Sequence, residues 1–262
     1  MARELPLITA TSQGKQRLLG WFDYLKLANA LINTSIGNTS VSLIFLDKDV
    51  DDFRRIIRKS SHIVYTVQYD VEGHVFAEGD IFEAIAAAAS VDPKTVAETL
   101  GKAGDCRLEA AEAWKEWVKI CLFTAIHKVD GIPNFGAESP LNKPRCAPAN
   151  LTEFQTYVQL LQTKARFTDK QFTRAFKQLS LMVDRSYSDG TYGRIFKGKW
   201  YPKILEDRLT PIWAQRSINA QGVAHSLTGH VAQTLDFDAP WAEHFKEPLR
   251  KLLRRIGYSS SL

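Results

Sequence analysis

The sequence predicts an α/β protein: a parallel sheet flanked by helices, followed by a mainly helical C-terminal half. Three observations lead there. Short apolar runs alternate with helix-periodic stretches through the first hundred residues, the rhythm of strand–helix–strand units. One run, Val41-Ser-Leu-Ile-Phe-Leu46, is nearly all apolar, as a strand covered on both faces should be. Beyond about Gly104 the strand signals stop and long helical periodicities take over. We therefore expect two domains, an α/β domain over 1–103 and a helical domain over 104–262.

The elements follow in order. Residues 5–10 form a short apolar run closed by the polar turn Thr11-Ser12-Gln13-Gly14 and read as the first strand. Residues 16–31 space Leu18, Leu19, Phe22 and Leu25 as a helix does. The strand at 41–46 follows, then a helix over 51–59, a strand over 62–67 and a helix over 80–89. Asp92-Pro93 supplies an N-cap with proline at the first helical position. Residues 107–128 read as one long helix carrying Trp114, Trp117 and Cys121. A loop with four prolines, Pro133, Pro140, Pro144 and Pro148, spans 131–150. Asn150 with Glu153, and Thr168 with Gln171, have the spacing of capping boxes that open two helices. A turn-rich connector covers 186–200, and helices are expected over 202–215, 223–235 and 242–256.

Composition narrows the function classes. The chain has 262 residues, 45% hydrophobic and 24% charged, the mixture of a soluble globular protein. No apolar run approaches the roughly 20 residues of a membrane span, and the N-terminus lacks a signal-peptide layout, so we expect no membrane partner and a cytoplasmic location. Three scattered cysteines, Cys106, Cys121 and Cys146, form no zinc or disulfide pattern. A net charge of +5 permits a nucleic-acid partner without demanding one. Lys197, Lys199, Lys203 and Arg208 are interleaved with Phe196, Trp200 and Tyr201, and cations beside aromatics suit phosphates and stacked bases. A solvated loop over buried aromatics would have the same composition. A second basic cluster, Arg250, Lys251, Arg254 and Arg255, lies near the end of the chain.

The chemistry concentrates in Asp47-Lys-Asp49-Val-Asp51-Asp52, just past the strand at 41–46. That edge is where open parallel sheets place ligands. Asp47 and Asp49, two residues apart in extended chain, aim at one point, and carboxylates held so close favour a hard cation such as Mg²⁺ or Mn²⁺. The same acids would equally cap a following helix. The next strand runs into Tyr69-Asp70-Val-Glu72-Gly-His74, which would bring Glu72 to the same edge about 5 Å away. Lys48 stands among the acids as a further phosphate contact. No glycine-rich nucleotide loop and no nucleophile elbow is present.

These motifs, a strand ending in Asp-x-Asp, a short helix and a strand entering Tyr-Thr-x-x-Tyr-x-x-Glu, resemble the Toprim-like family known as domain of unknown function 4435, related to nucleases of overcoming-lysogenization-defect type. The likeness runs from about Leu7 to Ala89, with an echo in Ser226-Leu-Thr-Gly229-His230. It implies a Mg²⁺-dependent nuclease or a degenerate relative, acting on DNA or RNA in prokaryotic anti-phage defence beside an ABC-type ATPase partner. It assigns Asp47 and Asp49 as metal ligands and Glu72 as the acid after the following strand; the charge pattern adds Lys48, Lys197, Lys199 and Lys203 as nucleic-acid contacts. The family opens on an earlier strand ending in glutamate, and Glu4 does not fill that place. The resemblance thus also admits a non-catalytic regulatory subunit of the ATPase. A phosphatase using Asp-x-Asp after a strand, as haloacid-dehalogenase-like enzymes do, is a third reading; its later lysine and acidic pair have no clear counterparts here.

Overall fold

The computed structural model describes residues 14–35, 38–101, 103–214 and 216–258. In chain order its elements are α1 (Gly14–Leu27), β1 (Ile32–Ser35), β2 (Asn38–Val41), β3 (Ile44–Leu46), β4 (Ile63–Tyr65), α2 (Val71–Glu78), α3 (Ile81–Ala89), α4 (Pro93–Leu100), α5 (Ala103–Ala113), α6 (Lys115–His127), α7 (Leu151–Lys164), α8 (Asp169–Ser188), α9 (Tyr201–Ala214), α10 (Ala220–Gln233) and α11 (Glu243–Arg255). It is an α/β protein in which helices predominate and the parallel sheet is small. The chain divides into two compact units. The first gathers Met1–Asp47, Arg58–Tyr65 and Asp238–Leu262; the second gathers Lys48–Ile57 and Thr66–Phe237. The boundary expected after residue 103 falls within the second unit.

The first unit is built on the parallel pair β3–β4, with Ile44 opposite Ile63 and Leu46 opposite Tyr65. Alternation decides its faces. Ile44 and Leu46 point one way, into a core with Leu19 and Phe22 of α1 and Ile63 of β4. Phe45 points the other way and meets Phe245 of α11, ring centroids 6.0 Å apart. The strand pair is therefore covered by a helix on each side. His244 Nε2 lies 2.7 Å from the Tyr65 carbonyl, and Arg255 donates to Ser61 Oγ at 3.1 Å, fixing both ends of α11. Beside this pair, β1 and β2 form an antiparallel hairpin with Ile32 opposite Val41. Residue 41 thus belongs to the hairpin, and the run expected as one strand over 41–46 is divided. The expected strand over 5–10, and Glu4, lie outside the described residues.

The second unit is helical around α6, in which Trp117 to Thr124 are all buried. α7 and α8 pack on α6, while α10 packs on α2, α3 and α9. Start signals in the sequence correspond to real caps: Asp92 accepts from Lys94 N at 2.8 Å, Asn150 from Thr152 N and Glu153 N, and Thr168 with Gln171 forms a reciprocal capping box. The helix expected over 107–128 is broken at Trp114 (φ −101°, ψ 10°), whose indole is wholly buried and donates to the Arg145 carbonyl at 2.7 Å. Residues 51–55 form turns and 56–59 are irregular, instead of the expected helix. Asp52 Oδ1 accepts from its neighbour Phe53 N at 2.8 Å, and Arg55 adopts φ +57°, both incompatible with a continued helix. Gly229-His230 lies inside α10 and does not open a helix.

Candidate functional site

The second unit holds the two acidic segments side by side. Residues 48–52 come one position after β3 along the chain, and residues 66–72 come immediately after β4. Within the unit, Lys48 N donates to Thr66 Oγ1 at 2.8 Å, and Asp49 N donates to the Tyr69 carbonyl at 2.7 Å. Thr66 Oγ1 in turn donates to the Gln68 carbonyl at 2.8 Å. Asp49 makes the bend at φ +50°, a left-handed conformation that aspartate tolerates better than most residues.

In the second segment Asp70 is extended (φ −139°, ψ 178°) and caps α2, with Oδ1 accepting from Gly73 N at 2.8 Å. Glu72 therefore stands in the first turn of a helix, where the positive end of the dipole favours a carboxylate. His74 accepts from Val67 N at 2.8 Å and from Gln68 N at 3.2 Å, both at Nε2. With that lone pair in use, the ring proton resides on Nδ1 and the imidazole is neutral.

A third segment, within the connector expected over 186–200, binds to both. Tyr69 N donates to the Gly193 carbonyl at 2.8 Å, and Gly198 N to Asp70 Oδ1 at 2.9 Å. Close approach to backbone requires Gly198, whereas Gly193 faces only the movable end of the Gln68 side chain. A Cβ on Gly198 would lie 2.0 Å from Gly73 N, and one on Gly193 would lie 2.1 Å from Gln68 Oε1. Phe196 and Trp200, between and beyond the glycines, are buried in the core; Trp200 stacks on Phe135 with centroids 5.6 Å apart.

This arrangement brings cations onto the acids. Lys48 is buried, donates through Nζ to the Val67 carbonyl and lies 3.9 Å from Asp52 Oδ2. Burial pulls its pKa down to about 8, against the attraction of Asp52 and with a further push from Arg194. Arg194 lies 3.4 Å from Asp52 Oδ2, and Lys199 lies 3.4 Å from Glu72 Oε1. The other carboxylate oxygen, Glu72 Oε2, is buried with no hydrogen-bond partner among the described residues.

Of the residues singled out by sequence, the second unit thus places Lys48, Asp49, Glu72 and Lys199 on three mutually bonded segments. Asp47 is half-buried and belongs to the first unit. Lys197 donates to the Phe135 carbonyl at 2.8 Å and Lys203 pairs with Glu138, so both are engaged elsewhere in the second unit. Sequence reasoning brings Asp70 with Tyr69 and Glu72 to this edge and admits His74 as a metal or phosphate contact, but it does not single out Arg194. The readable signal for the third segment is Gly193-Arg-Ile-Phe-Lys-Gly198, two glycines bracketing an apolar pair.

A resident Mg²⁺ or Mn²⁺ needs oxygens converging on one point. Among the described residues no group of three or more His, Cys, Asp or Glu side chains could hold a metal ion, and Asp52 and Glu72 already face protein cations. Asp52 and Glu72 are thus charge-matched within the unit. No helix among the described residues is long and apolar enough to cross a membrane. No family model, curated protein or solved structure matches the chain.

Proposed function

We propose that this chain is a Toprim-like module directed at nucleic acid that binds without cleaving, a degenerate relative of the family's nucleases suited to act beside an ABC-type ATPase. One observation carries the reading: the carboxylates of the site have cations of the same unit beside them, Asp52 with Lys48 and Arg194, and Glu72 with Lys199. An ammonium or guanidinium at that distance competes with a divalent ion for the same oxygens. The juxtaposed acidic segments support the Toprim-like part of the reading, because ligands of parallel α/β sheets gather where strands end.

A second reading is favoured by Glu72 Oε2, a buried oxygen without a hydrogen-bond partner that a cation would satisfy. Under it, Asp49 would hold Mg²⁺ with Glu72 as the further acid of the same unit, and the ion when bound would stabilise charge developing on a phosphodiester. Calorimetric titration of the unmodified chain with Mg²⁺ and with Mn²⁺ separates the two. The binding reading expects no saturable heat from either ion. Saturable binding that disappears in Asp47→Asn and Asp49→Asn would overturn it in favour of the metal-dependent enzyme.

A further inference from the structure

Divided between the units, the charge of the chain is one-sided. The residues of the second unit include twenty-three Lys and Arg and twenty-three Asp and Glu; those of the first include eleven and six. The entire formal net charge of +5 therefore belongs to the smaller unit.

Within that unit the excess has a location. On α11, Leu252 is fully buried, and Phe245, seven residues earlier on the same face, lies on Phe45. At 100° per residue, Arg255, Lys251 and Arg254 lie about 60°, 100° and 160° around the helix from Leu252, along one flank, and all three are exposed. The Arg255 bond to Ser61 sets the last turn of α11 beside the segment Arg58-Lys59-Ser60-Ser61. Arg58 is matched by Asp23 at 2.7 Å and Lys251 by Glu247 at 3.6 Å. Lys59 and Arg254 have no ion-pair partner among the described residues, and Arg17 and Lys26 of α1 are exposed in the same condition. Cations in a last helical turn complement the dipole, which accounts for Arg254 and Arg255 but not for Lys59, Lys251 or the unit's overall excess.

We infer that the first unit grips the phosphate backbone of a nucleic acid through Lys59, Lys251 and Arg254, with Arg255 beside them. The inference rests on the nucleic-acid reading above but uses none of the residues of the acid–base site. Clustered exposed cations supply affinity for phosphates without reading sequence. A lipid surface fits less well, because the apolar side of α11 is already covered, Leu252 being buried and Phe245 lying on Phe45, and is not free to insert.

The test uses the full chain with a labelled mixed-sequence DNA duplex and the matching RNA duplex across a salt series. Each neutralised phosphate adds about 0.9 to the slope with which log K falls against log salt on B-DNA. The variant Lys59→Gln/Lys251→Gln/Arg254→Gln is expected to flatten the DNA slope by up to about 0.9 for each cation removed and to weaken low-salt binding at least about tenfold. Lys170→Gln/Lys177→Gln, exposed on α8 of the second unit, is expected to leave binding unchanged, and Lys251→Arg retains it. Binding that survives the triple variant, or falls equally in the α8 variant, overturns the grip while leaving the nucleic-acid reading standing. No binding to either duplex overturns both, as does capture by phosphatidylserine vesicles in place of nucleic acid. Circular dichroism on each variant confirms that helix content is retained.

Discussion

The two units differ in what holds them and in what they leave outside. The second is organised around a continuous core with Trp114, Trp117, Phe123, Phe196 and Trp213 fully buried, and its charges balance. Among the described residues the first has a cluster of five buried side chains, Leu19, Phe22, Ile44, Leu46 and Ile63, besides the buried Leu252, and all of the net positive charge belongs to it. Self-repulsion opposes compactness, so an uncompensated excess of cations on the thinner core is not explained by stability. That contrast points to a partner for the first unit's surface and to a positioning role for the second unit's core.

The contrast is broken most strongly by core truncation. Trp114→Ala is expected to cost about 3–5 kcal/mol, because a fully buried indole is removed and the Arg145 carbonyl is left without its donor. Leu46→Ala in the smaller core is expected to cost about 2–3 kcal/mol, since a thinner shell collapses more readily around the space left. Urea midpoints measured with the matching m-values check both. Next comes Gly198→Ala, expected to cost about 2 kcal/mol because the new methyl would strike the backbone of Gly73. Gly190→Ala, also in the connector but in open space at φ +76°, is expected to cost only about 1 kcal/mol from backbone conformation. Equal losses at the two positions would deny that the connector's close approach to α2 matters.

A pH experiment sharpens the electrostatic side. Lys48 has a pKa of about 8 in the folded chain against 10.5 in the reference state. Between those values the unfolded chain binds more protons, so this group makes stability rise with pH from about 8 to 10.5; below about 8 the cost of burying its charge is fully present. Lys48→Met is expected to remove that rise and to raise the urea midpoint at neutral pH. A midpoint that falls instead would mean that the Asp52 attraction outweighs burial. The smallest effect is expected at Asp23→Asn, which breaks a half-exposed pair with Arg58 and is expected to cost less than about 1 kcal/mol.

Local signals are the legible part of this molecule. The apolar strand β3 and its partner β4, the Asp92-Pro93 start of α4 and the Thr168–Gln171 box all show in spacings of a few residues, and periodicity or capping patterns find them. The misses have tertiary causes. The hairpin β1–β2, Ile-Asn-Thr-Ser against Asn-Thr-Ser-Val, is polar and lacks the apolar alternation that marks a strand. The break at Trp114 is set by an indole bond to a carbonyl 31 residues away, invisible to helical spacing. The helix Val71–Glu78 receives no assignment from sequence because its start signal, Asp70, follows β4 closely; the same residue serves as cap and as anchor for Gly198. The acids of the site are legible from their position after a strand, while their cationic partners Arg194 and Lys199 come from residues more than a hundred positions later.

The most direct test of binding without cleavage is incubation of the unmodified chain with labelled DNA and RNA duplexes in the presence of Mg²⁺ and of Mn²⁺, with retardation and strand scission read on the same gels. Salt-sensitive retardation of intact duplex with either ion is the predicted result. Scission that is abolished by Asp49→Asn would contradict it and establish the acidic segment as a catalytic centre.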